Sequence, residues 1–193
     1  MLNGYPPEYA KYNLRKLRTE EITYLYDKYA KELFAYGITF SIDRDIILDA
    51  IQDVFLNLSE KEIKLNNPGK VKFYLFSSLK NRIVSILRKE SHFLELTDSY
   101  EFELYADVKD FVVEEEKQRY YKGLLDSLLS SLTDKQREAI YLYFIQELSY
   151  EETAVIMNIT VKSARKLVYK ALQKMQEKSS LLFFFLLIKI CHL

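Results

Sequence analysis

"YEETAVIMNITVKSARKLVYKAL" (residues 150–172) reads as two short helices around a tight turn. Its small and apolar residues place a shared core at Ala154, Met157, Ile159, Ala164 and Leu167. Asn158 falls at the turn, where the backbone needs a left-handed residue. Glycine is the usual choice there and asparagine the next most tolerant. "SYEE" (149–152) is a capping box that opens the first helix, and Thr160 is placed to cap the second. Thr153 is polar where a branched apolar residue is common, which leaves the core slightly imperfect.

With Ala164 and Leu167 inward, the second helix turns Lys162, Ser163, Arg165, Lys166, Tyr169 and Lys170 to solvent. A recognition helix lays such side chains in the major groove. Arginine bonds two guanine acceptors there, and lysine mostly neutralises phosphate. The competing reading is an ordinary helical hairpin with a basic solvent face.

The whole chain gives no such hint, because its 28 basic and 28 acidic residues cancel. Local counts differ. Residues 61–90 hold eight Lys or Arg against two Glu, a net of +6. Residues 95–117 hold nine acids against two Lys, a net of −7, and residues 160–178 hold six bases against one Glu, a net of +5. Two basic blocks flank an acidic one, and a basic face attracts phosphate whatever the total charge.

The chain of 193 residues is 49% hydrophobic with four Gly and three Pro, which favours an all-helical protein with cores to bury. Ile22, Leu25, Tyr26, Tyr29, Leu33 and Tyr36 set a helix over 19–36, which Gly37 is placed to end. Ile47, Ile51, Val54, Phe55 and Leu58 set a second over 43–58. Asn67 and Pro68 open a third, running to about residue 89 with Val71, Leu75, Leu79, Ile83 and Ile86 as its stripe. Leu124, Leu125, Leu128, Leu129 and Leu132 mark a fourth, and "TDKQ" (133–136) is a second capping box. The expected organisation is two small helical domains, 14–92 (three to four helices) and 117–178 (helix-turn-helix). An acidic linker, 93–116, joins them, and an apolar tail, 179–193, follows. Aromatic residues in the linker predict that part of it docks.

Catalytic chemistry is not legible. His92 and His192 have no partner spacing for a metal or a nucleophile triad, and the scattered Gly build no phosphate cradle. No enzyme, metal or cofactor is expected. Cys191, the single cysteine, excludes an internal disulfide, and the N-terminus lacks the apolar stretch of a signal peptide, so a cytoplasmic protein is expected. The tail's longest apolar run, "LLFFFLLI" (181–188), is eight residues, against about 20 for a membrane span. Docking onto this protein or a partner is expected of it, rather than stable membrane insertion.

Both halves together resemble a bacterial extracytoplasmic-function sigma factor of the sigma-70 family, over about residues 24–175. "DAIQDVFLNL" (49–58) is similar to the family's polymerase-gripping helix, and "YLFSSLKNRIVSILRKE" (74–90) to the helix that melts and reads the −10 element. Residues 128–175 resemble the domain that reads the −35 element. The resemblance implies core RNA polymerase, promoter DNA and an anti-sigma factor as partners. It implies polymerase contacts at Asp49, Gln52, Asp53 and Phe55, although Phe55 reads more readily as core. It implies a base contact at Asn81, near an extruded −10 base, and phosphate contacts at Lys80, Arg82 and Arg88. Residues 59–69 match the specificity loop for that base. Tyr74 stands where the family usually has Trp. Ser85 stands where Asp is common, which bears on local base preference. "VKSARKL" (161–167) departs from the commoner Thr-Val pattern, and the chain as a whole resembles Bacteroidetes-type members. Two other functions compete: a helix-turn-helix regulator that acts without polymerase, and a helical protein-interaction module.

Overall fold

In the first half, apolar side chains three and four residues apart wind each segment into a helix and bury one stripe of it. The computed structural model describes residues 17–60, 69–90, 100–104, 123 and 126–178. Every regular element among them is helical. The chain divides into two units, Met1–Ser99 and Tyr100–Leu193.

In the first unit, α1 (Thr19–Gly37), a 3-10 turn (Ile38–Phe40), α2 (Arg44–Glu60) and α3 (Gly69–Glu90) pack around one core. Leu33, Ile47, Ile51, Leu58, Leu75, Leu79 and Ile83 are its large, fully enclosed aliphatic residues. Each contributes about 1.5–3 kcal/mol by leaving water. All five residues expected to face inward on α2 do so. The stripe of α3 is turned slightly from the expected one: Phe76 is fully buried, whereas Ile86 is only half-buried. The expected cap at Asn67 and Pro68 lies outside the described residues.

Gly37 acts differently from a left-handed helix stop. Its φ is −60° and ψ −44°, ordinary right-handed helix. A Cβ there would collide with Ile47 Cγ2, so glycine permits α1 and α2 to approach closely. The left-handed turn falls instead at Ser41, with φ 53°. Asp43 then caps α2, accepting from the Asp45 N–H at 2.8 Å.

The second unit includes α4, seen over residues 126–130, where Leu128 and Leu129 are buried, as is Leu132 just past its end. Leu124 and Leu125 lie outside the described residues. The Thr133–Gln136 box forms as expected and opens α5 (Asp134–Ile140), with Thr133 N–H donating to Gln136 Oε1 at 3.0 Å. A π-helical turn, Tyr141–Ile145, prolongs α5 and closes with Gln146 N–H on the Tyr141 carbonyl at 3.0 Å. Glu147, left-handed at φ 54°, redirects the chain. Then α6 (Tyr150–Ile156) and α7 (Val161–Lys178) complete the unit.

Part of the acidic stretch docks on this unit. Phe102 is completely buried, with its ring edge-on to Tyr141 at 6.0 Å between centroids. Its N–H donates to Asp134 Oδ1 at 3.0 Å, and its carbonyl accepts from Arg137 Nε at 2.6 Å. Arg137 also donates to the carbonyls of Leu129 (3.1 Å) and Leu132 (2.8 Å), where α4 ends, and to Asp134 at 2.5 Å. Tyr100 donates its hydroxyl to the buried Glu138 carboxylate. One arginine thus holds the docked segment, the end of α4 and the start of α5. Burial alone would push the Asp134 carboxyl up. The Phe102 N–H, then the hydrogen bond and charge of Arg137, outweigh this and hold it below its ordinary value.

Candidate nucleic-acid interface

Helix α7 is oriented by α6 and the turn before it. The "SYEE" box forms: Ser149 N–H donates to Glu152 Oε2 (2.9 Å), and Glu152 N–H to Ser149 Oγ (3.2 Å). Asn158 takes the left-handed conformation expected of it, φ 53°. Thr160 Oγ1 accepts from Ser163 N–H at 3.1 Å, capping α7. The core between the two helices uses Ala154, Ile156, Met157, Ala164, Val168, Ala171 and Met175. Val168 takes the inward place expected of Leu167, which is half-buried like Ile159. Thr153 is fully buried, and its Oγ1 finds no hydrogen-bond partner among the described residues.

The opposite face of α7 is the one the sequence predicts. Lys162, Ser163, Arg165, Lys166, Tyr169 and Lys170 are all exposed, Tyr169 to 67%. The basic block is divided in its work, however. Lys174 Nζ donates to the Ser131 carbonyl (3.2 Å) and Gln136 Oε1 (3.4 Å), and Lys178 to the Ser127 carbonyl (3.5 Å). Those two lysines tie α7 to α4 and its C-terminal turn. Lys178 is itself exposed, so the exposed cations outside this tie are Lys162, Arg165, Lys166 and Lys170.

Arg165 reaches across the turn to α6. Its Nη2 lies 3.4 Å from Glu151 Oε1, and its guanidinium sits over the Tyr150 ring at 5.3 Å. Tyr150 in turn stacks on Tyr143, with centroids 4.2 Å apart and planes 17° apart. Burial, with the Tyr143 hydroxyl beside it, raises the Tyr150 hydroxyl above its ordinary value against the opposing pull of Arg165. In the sequence, Tyr150 and Glu151 read only as part of a cap. Their approach to Arg165 spans 14 residues and the turn between α6 and α7, so no local pattern announces it.

The first unit presents its candidate residues on α2 and α3. Asp49 and Gln52 are exposed, as are Asn81 and Arg88, while Ser85 is half-buried. Two expected contacts do not fit the structure. Lys80 is 4% exposed, with its ammonium 5.6 Å from the centre of the Phe40 ring, so it packs inward instead of meeting a DNA strand. Phe55 is 5% exposed and meets Tyr26 edge-on at 5.1 Å, so it serves the core and not a polymerase contact. Asp53 and Arg82, expected to face polymerase and DNA respectively, form an ion pair with each other at 2.6 Å. The loop over 61–68 lies outside the described residues. Among the described residues no cluster of His, Cys, Asp or Glu could hold a metal ion, and no helix is long and apolar enough to cross a membrane.

Comparison with known proteins gives both units a family. The family described as Sigma-70 region 2 matches residues 25–93, and Sigma-70, region 4, matches residues 122–175. The two stretches, 69 and 54 residues, hold 123 of the chain's 193, so the assignment covers more than half of it. The chain belongs to the sigma-70 family and works as a sigma factor, directing core RNA polymerase to promoters to initiate transcription. Within that family it falls in the extracytoplasmic-function class. It is 26% identical over 152 residues to "ECF RNA polymerase sigma factor SigM" of Bacillus subtilis, covering 79% of this chain and 91% of that protein. Two solved structures share the fold. The sigma factor RpoE of Bartonella quintana, co-crystallised with the anti-sigma factor NepR, has a TM-score of 0.57 and 23% identity, covering 83% of this chain and 97% of that one. CnrH in complex with the cytosolic domain of CnrY has a TM-score of 0.51 and 18% identity, covering 83% and 88%. The region 2 match extends the family assignment to the first unit.

Proposed function

We propose that α7 reads the −35 element and that α2 and α3 share the work of gripping polymerase and opening the −10 element. The observation that carries this reading is the division of α7. Four residues expected to touch DNA are exposed cations, Lys162, Arg165, Lys166 and Lys170, while the other side is packed by Ala164, Val168, Ala171 and Met175. Arg165 reads a base edge, and the lysines and Ser163 meet phosphate. On α3, Asn81 meets the extruded −10 base, with Arg82, Ser85 and Arg88 beside the opened strands. On α2, Asp49, Gln52 and Asp53 face polymerase.

The assignment of region 2 to 14–92, the linker to 93–116 and region 4 to 117–178 belongs to the same reading. So does an anti-sigma factor as partner, supported by the co-crystallised RpoE–NepR pair. A cytoplasmic location without catalytic chemistry of its own follows from a task performed on polymerase and DNA. The Bacteroidetes affinity rests on sequence resemblance alone.

Single-cation variants test the surface. Lys166→Ala is expected to weaken binding of reconstituted holoenzyme to promoter duplexes evenly across −35 sequences, and to lower the salt slope by about 0.9. Arg165→Ala is expected to relax base preference at one −35 position. Unchanged binding and base preference in both variants would refute the assignment of α7.

A further inference from the structure

Arg165 belongs to the exposed face of α7, yet its guanidinium is directed by two residues of α6. Glu151 Oε1 approaches it at 3.4 Å, and the Tyr150 ring lies beneath it at 5.3 Å. The ring is itself held, stacked on Tyr143 at 4.2 Å and mounted on a helix start fixed by the Ser149–Glu152 box. We propose that Tyr150 and Glu151 are positioning residues for base readout, holding the Arg165 guanidinium in one direction so that it meets one base pair of the −35 element. This inference rests on the reading of α7 as the −35 helix.

An exposed arginine has many rotamers, and ordering it on a base edge costs conformational freedom. A guanidinium resting over a ring leaves the N–H groups at the edge of its own plane free to donate in a fork. The carboxylate removes a further degree of freedom. Because Glu151 and Arg165 are 63% and 62% exposed, the pair is solvent-screened and gives direction more than strength. An arginine without this support still neutralises a phosphate, but chooses among bases less well.

The test uses the full chain reconstituted with core polymerase. The probe is a duplex library with a randomised −35 element and a fixed −10 element, selected first with the unaltered protein. Arg165→Ala, Tyr150→Leu, Tyr150→Phe and Glu151→Gln are then compared for base discrimination at each −35 position and for salt slope. Tyr150→Leu and Glu151→Gln are expected to lose about two- to fivefold in discrimination, at the position that Arg165→Ala also affects. Their salt slopes should stay unaltered, since no phosphate contact is removed. Tyr150→Phe keeps the ring and is expected to keep the discrimination. Glu151 is exposed, so its variant reports even if Tyr150→Leu folds poorly.

Three results would overturn the inference. Full discrimination in both Tyr150→Leu and Glu151→Gln, with a loss in Arg165→Ala, would remove the positioning role and leave α7 as the reader. A Tyr150→Phe variant as impaired as Tyr150→Leu would assign the effect to the hydroxyl. Unaltered base preference in Arg165→Ala would remove both the reading of Arg165 and the positioning built on it.

Discussion

At the scale of single residues, two buried or paired polar groups make the sharpest predictions. Thr153 is enclosed, with Oγ1 unpartnered among the described residues, so it bears a desolvation cost without a hydrogen bond in return. Thr153→Val keeps the shape and is expected to raise stability by about 1 kcal/mol in urea denaturation followed by circular dichroism. Asp53 and Arg82 stand at 2.6 Å, each less than half exposed. A double-mutant cycle with Asp53→Ala and Arg82→Ala is expected to show a coupling of about 0.2–1 kcal/mol, the range of surface ion pairs. Under the proposed assignment, the same pair joins a polymerase-facing carboxylate to a DNA-facing guanidinium.

At the scale of elements, helices and caps were legible because their signals are periodic or local. The spacing of Ile47, Ile51, Val54, Phe55 and Leu58 defined a face, and "SYEE", "TDKQ", Asn158 and Thr160 each act within four residues. The exposed face of α7 was legible for the same reason. Lys80 was misplaced because resemblance assigns a residue to a helix, whereas a rotation of the helix decides whether it faces out; Phe55 takes the core place that its spacing favours over the contact the resemblance implies. The docked segment, 100–104, has no period to reveal it. Its anchors, Asp134, Arg137, Glu138 and Tyr141, lie more than 30 residues away. Phe102→Ala is expected to cost about 3–5 kcal/mol in the unfolding of the second unit, measured on the full chain by thermal or urea denaturation. Asp134 gives this dock a pH dependence. Its folded carboxyl lies below its ordinary value, so its stabilising contribution is complete above about pH 4 and is lost as pH falls further, through the lowered value. Hydrogen-exchange protection of the Phe102 amide is expected to drop in that acid window. Constant protection down to pH 2 would contradict the account.

At the scale of the whole molecule, a chain with no net charge works on a polyanion because its charges are sorted along the sequence. The acidic block separates the two basic ones, and within the last of these Lys174 and Lys178 serve packing while Lys162, Arg165, Lys166 and Lys170 face outward. Under the proposed assignment both matched regions, 25–93 and 122–175, are needed for promoter-specific initiation, one for polymerase and −10 opening and one for −35 reading. The most direct measurement is run-off transcription by core polymerase reconstituted with this chain, or with its Asn81→Ala or Arg165→Ala variant. Each is tested on a promoter duplex and on the same promoter pre-melted at the −10 element. Start-specific transcripts are expected with the unaltered chain, with a loss in Asn81→Ala that pre-melting largely restores and a loss in Arg165→Ala that pre-melting does not repair. The absence of any promoter-dependent transcript, or identical behaviour of the two variants on both templates, would contradict the proposed assignment.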